Sequence, residues 1–87
     1  YVLTSRDTFS AAEALAYGLQ AQGRATVVGE VTGGGANPSI AMDLGPWFTV
    51  IMPIAVTVHP STGGNWEGVG VTPDVVVPAD RALETAL

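Results

Sequence analysis

Eighty-seven residues allow one domain at most, and a chain of this length buries only about 60% of the surface it exposes when unfolded. Hydrophobic residues make up 47% and charged residues 13%, so apolar surface is left over that calls for cover by another chain or by a further part of the same one. The formal net charge is −5, with Arg6, Arg24 and Arg81 scattered and no lysine or cysteine, which disfavours a nucleic-acid-binding face and excludes both a disulfide framework and a thiolate metal site.

In chain order, Tyr1 to Thr4 reads as a short strand and Ser5 to Thr8 as a polar connection into a helix from about Phe9 to Gln22. Ala12, Leu15, Ala16 and Leu19 fall at i, i+3, i+4 and i+7 and are the expected buried stripe. Gly23 ends the helix. Ala25 to Val28 is a second short strand, so the first segments form a β-α-β unit with two parallel strands. Ser10, at the helix start, has two readings. The outward N–H groups of a first turn can stabilise a serine alkoxide and the oxyanion it generates. Ser10 with Glu13 is also an S-x-x-E capping box.

Gly29 to Pro38 is a loop containing Gly33-Gly34-Gly35. No G-x-x-x-x-G-K pattern is present, so the run is read as backbone that lets a peptide or ligand approach closely, and not as a phosphate cradle. Trp47 to Met52 and Ile54 to Val58 read as β structure broken by Pro53. This is the longest apolar run, and it is too short and too interrupted to span a bilayer as a helix. His59 to Asn65 is a turn-rich loop. Val75-Val76-Val77 reads as a strand covered on both faces, with Asp80 capping a short terminal helix that carries Leu83 and Leu87. Asp74, after Pro73, is a turn former. Trp47, Phe48, Trp66 and Tyr17 are read as packing residues.

Three motifs occur in one order: TFSAAE from Thr8, GRATVVGEVTGGGA from Gly23 and NWEGVGVTPDVVV from Asn65. Together they resemble the carboxy-terminal-processing (tail-specific) serine proteases, in particular the branch that includes interphotoreceptor retinoid-binding protein and the tricorn-type peptidases. The likeness runs from Val2 to about Val77. It implies an α/β domain of the Clp protease/crotonase-like ββα fold, of which residues 1–87 would be a single partial domain, the C-terminal portion. The start at Tyr1, inside a strand-like run, fits the same expectation.

Carried over residue by residue, the resemblance makes Ser10 the nucleophile and the Ala11 N–H an oxyanion donor. The processing-protease branch has a lysine base in a T-F-G-K-like segment. Here the segment is Thr32-Gly33-Gly34-Gly35, with Gly35 at the lysine position. In the tricorn-like branch a histidine upstream of the nucleophile is the base, and Glu67 matches the acidic residue that helps hold the site. A Ser10-His59-Glu67 triad is a competing arrangement, since order along the chain does not constrain such sites. Glu67 also reads as an ordinary loop carboxylate.

The leading expectation is therefore a fragment of a serine peptidase acting on peptides or proteins, with Ser10 and Glu67 in the site, Gly33, Gly34 and Gly35 bordering the cleft, and a base supplied from outside these residues. The fragment alone is then expected to be inactive. The alternative is a non-catalytic module of the same fold that carries a retinoid or fatty acid. No metal or cofactor is called for by either. The resemblance is compatible with an extracytoplasmic setting, and the surplus apolar surface points to self-association of the isolated chain.

Overall fold

A computed structural model describes all residues, 1–87. The first strand, β1 (Val2–Thr4), leads through a polar turn to helix α1 (Ala11–Ala21), which delivers the chain to β2 (Val27–Gly29). β1 and β2 pair in parallel, Val2 opposite Val27 and Thr4 opposite Gly29, as the β-α-β pattern requires. Gly23, at φ 63, is the left-handed residue after the helix. The chain returns to this sheet only near its end. There β5 (Val75–Val76) pairs in parallel with β2, giving the order β1-β2-β5. Asp74 fastens that return: its N–H donates to Val27 O at 2.8 Å and its Oδ2 accepts from Val27 N–H at 2.7 Å. This is a long-range contact across the sheet rather than the local turn role expected of Asp74.

The central strand β2 is fully buried, and Val27 joins Ala16, Ala36, Trp66 and Val71 in one core cluster. Val2 and Tyr17 pack against it. The terminal helix α2 (Ala79–Ala86) lies on β1 and β2 and buries Ala82. The architecture is α/β, and no helix is long and apolar enough to cross a membrane.

Between the two halves of this sheet the chain makes an antiparallel hairpin, β3 (Ser39–Asp43) with β4 (Thr49–Pro53), in register from Ser39 opposite Pro53 to Asp43 opposite Thr49. β3 was not foreseen, and β4 ends at Pro53 with the chain beyond it irregular. Proline closes the ladder because it has no N–H to donate, and the last bond comes from Ile54 N–H to Pro38 O. Nearly every residue of the hairpin is exposed, including Trp47 at 84%. The molecule is correspondingly extended, with axes of 50 × 30 × 15 Å and a radius of gyration of 14.9 Å, against about 12 Å for a compact chain of this length.

Four local expectations change. Trp66 is buried and Tyr17 half-buried, but Trp47 and Phe48 stand in solvent. Ala12 and Leu15 are exposed, and α1 instead buries Glu13 and Ala16. Val75 and Val76 are exposed at the sheet edge, so the valine run does not mark a strand covered on both faces. α2 has Pro78 at its N-cap without a side-chain cap, with Asp80 inside the first turn, where a carboxylate meets the positive end of the helix. Leu83 and Leu87 face solvent.

Candidate functional site

The connection from β1 to α1 is a tight polar turn. Thr8 N–H donates to Ser5 O, Ser5 N–H to Thr8 Oγ1 at 3.0 Å and Asp7 N–H to Ser5 Oγ at 3.2 Å. It brings Ser10 to the N-cap of α1 at φ 54 and ψ −118, the only residue other than glycine with positive φ. A residue with a Cβ pays a conformational penalty there, of order 1–3 kcal/mol. Ser10 and Glu13 form a capping box: the Ser10 side chain faces the Glu13 N–H, and the Glu13 carboxylate accepts from Ser10 N–H at 2.8 Å. Ser10 is itself exposed, and the neighbouring Ala11 N–H has no backbone partner.

Glu13 is completely buried and accepts four hydrogen bonds. Thr32 Oγ1 at 2.5 Å and Gly34 N–H at 2.7 Å donate to Oε1. Gly35 N–H and Ser10 N–H, each at 2.8 Å, donate to Oε2. Burial by itself would raise the pKa of this carboxyl. The hydrogen bonds from Thr32, Gly34, Gly35 and Ser10 outweigh it and hold the group below its ordinary value of 4.5. Thr32 Oγ1 in turn accepts from Val71 N–H at 2.7 Å. Sequence reasoning saw Glu13 only as a cap and missed Thr32; the available signal was an S-x-x-E followed by a threonine at the head of a glycine run.

Glu67 sits in the loop that follows the buried Trp66, whose Nε1–H donates to Gly35 O at 3.2 Å. Asn65 Oδ1 accepts from Glu67 N–H, and Glu67 Oε2 accepts from Ala36 N–H at 2.6 Å and Asn37 N–H at 2.8 Å. Glu67 is itself exposed.

Ser10, Ala11, Gly35 and Glu67 line one cleft of about 490 Å³, with Ile51 and Trp66 on its apolar side. Gly33 and Gly34 lie behind its wall: Gly33 N–H donates to Thr8 O, and Gly34 O accepts from Gly68 N–H. The Phe9 ring covers both outer glycines. A Cβ would come within 2.7 Å of the ring at Gly33 and within 2.2 Å at Gly35, so a side chain at either position requires the ring to move. A second cavity, of about 510 Å³ beside Gln20, Arg24 and Asp74, contains none of these four residues. His59 is apart from the cleft. Its Nδ1 contacts Ser61 Oγ at 2.9 Å and its ring stands edge-on to Tyr17, and no hydrogen bond links it to Ser10 or Glu67.

The family described as peptidase family S41 matches residues 1–77 of the chain. Among solved structures, the photosystem II D1 C-terminal processing protease superposes with a TM-score of 0.71 at 31% identity, over 90% of this chain. The chain spans 20% of that protease's length.

Proposed function

Because the chain belongs to peptidase family S41, we propose that it contributes the nucleophile segment of a serine peptidase. In this reading Ser10 Oγ attacks the carbonyl carbon of a peptide bond in the cleft, and its proton passes to a base held outside residues 1–87. The Ala11 N–H, unpartnered at the positive end of α1, stabilises the oxyanion of the tetrahedral intermediate. Collapse of that intermediate expels the amine and leaves an acyl-Ser10 ester, which water hydrolyses. Glu67, held by two backbone N–H groups, helps to orient the base. The carrying observation is the Ser10 backbone: an exposed non-glycine residue at φ 54, at the first turn of α1 and on the wall of a cleft.

The full domain would have the Clp protease/crotonase-like ββα fold. Its affinities lie with the tricorn-like and retinoid-binding branch, since Gly35 stands where the lysine of the processing-protease branch would be and the Phe9 ring fills the space above it. The apolar cleft wall formed by Phe9, Ile51 and Trp66 supports a second reading, a module that binds a retinoid or fatty acid without catalysis.

A fluorophosphonate probe separates these readings. The full-length protein should be labelled at Ser10, and residues 1–87 alone should not be. An unlabelled full-length protein that saturably quenches retinol fluorescence, with Ser10→Ala leaving the titration unchanged, would decide for the carrier.

A further inference from the structure

Four consecutive backbone N–H groups, of residues 34 to 37, point at two carboxylates. Gly34 and Gly35 donate to Glu13, while Ala36 and Asn37 donate to Glu67. The same Glu13 Oε2 that takes the Gly35 N–H also takes the N–H of Ser10. One buried side chain therefore joins the residue with the strained backbone to the loop that binds Glu67, the acidic residue of the cleft. A backbone at positive φ in a residue with a Cβ persists only where its surroundings over-determine it. Here the bond from Ser10 N–H to a carboxylate anchored at its other oxygen by Thr32 and Gly34 supplies that constraint. The charge-assisted character of the four bonds makes the anchor strong.

We infer that Glu13 is a positioning residue: it holds the Ser10 backbone in its positive-φ conformation and, through the loop at 34–37, sets where Ser10 stands relative to Glu67. The inference rests on the reading of Ser10 as nucleophile. Glu13 does not touch a substrate and takes no proton in the reaction; it acts through Ser10 and the loop. Its two oxygens are both acceptors and all the facing groups are donors. Glu13→Gln therefore aims an amide donor at backbone or hydroxyl donors on one side whichever way the amide turns.

The test uses the full-length protein, with a fluorophosphonate as probe, and compares wild type, Glu13→Gln and Thr32→Val. Saturation kinetics of labelling should show the maximal inactivation rate falling by about 100-fold in Glu13→Gln with the half-saturating probe concentration unchanged, the signature of a misplaced nucleophile rather than a lost binding surface. Thr32→Val, which keeps the carboxylate and removes one of its donors, should show a smaller fall of the same kind. A crystal structure of Glu13→Gln should show Ser10 at negative φ. Labelling at the wild-type rate, or Ser10 still at positive φ with its spacing to Glu67 unchanged, overturns the inference. A wild-type protein that is not labelled refutes the nucleophile reading instead, and the Ser10 φ of the variant then decides the positioning role by itself. Should Glu13→Gln fail to fold, Thr32→Val carries both readouts.

Discussion

Thr32 Oγ1 stands between Glu13 and the core residue Val71: it donates to the buried carboxylate at 2.5 Å and accepts from Val71 N–H at 2.7 Å, while Thr32 N–H donates to Val71 O. A single hydroxyl thus connects the start of α1, the glycine loop and the chain's return to the core.

Replacing Thr32 by valine keeps the shape and removes both hydroxyl bonds. A hydrogen bond to a charged group contributes about 1.5–3 kcal/mol, and the buried Val71 N–H is left without its acceptor. The expected loss for Thr32→Val is about 3 kcal/mol in urea unfolding of the full-length protein. Thr32→Ser, which retains the hydroxyl, should lose less than half of that.

The lowered pKa of Glu13 makes stability depend on acid. Its folded value lies below the unfolded one, so the unfolded chain takes up the proton first and stability falls as pH falls. The Glu13 contribution is complete above the ordinary value of 4.5 and is lost as pH drops through the lowered folded value. Urea midpoints measured from pH 7 downward should therefore show the advantage of wild type over Glu13→Gln shrinking below about pH 4.5. An advantage that stays constant to pH 2 contradicts this account.

The strained Ser10 backbone makes a distinct prediction. Ser10→Ala keeps the Cβ at φ 54 but removes the capping oxygen, and should cost about 1 kcal/mol of stability while the proposed nucleophile, and with it labelling, is lost. Ser10→Gly releases the strain, offset in part by the greater freedom of glycine in the unfolded chain, and should stabilise by about 1 kcal/mol. Thermal unfolding of the two variants side by side measures the difference.

Residues 1–87 alone expose Leu44, Trp47, Phe48, Ile51, Ile54 and Val56 along and after the hairpin, together with the edge valines Val75 and Val76. Apolar area of this kind favours association at about 25 cal/mol per Å² removed from water. Sedimentation equilibrium at low micromolar concentration should find a dimer or larger species, and Trp47→Ser with Phe48→Ser should weaken it. A cooperative monomer would show that the 87 residues are self-sufficient.

What the sequence determined by itself is the local and periodic part of this molecule. Two strands flanking a helix, a helix closed by Gly23 and a proline at a strand end all follow from propensity, φ restriction and missing donors within a few residues. The serine at a helix start was readable on the same ground. Only the tertiary structure decided which face of α1 turns inward. Apolar spacing favoured Leu15, yet Glu13 is buried, because Thr32, Gly34 and Gly35 arrive from about twenty residues away with donors that compensate a buried carboxylate. Whether Val75 and Val76 lie at an edge or in the middle of a sheet likewise depends on which strand pairs beside them. Whether Glu67 is a loop charge or a bound wall of the cleft depends on the N–H groups of Ala36 and Asn37, thirty residues earlier in the chain.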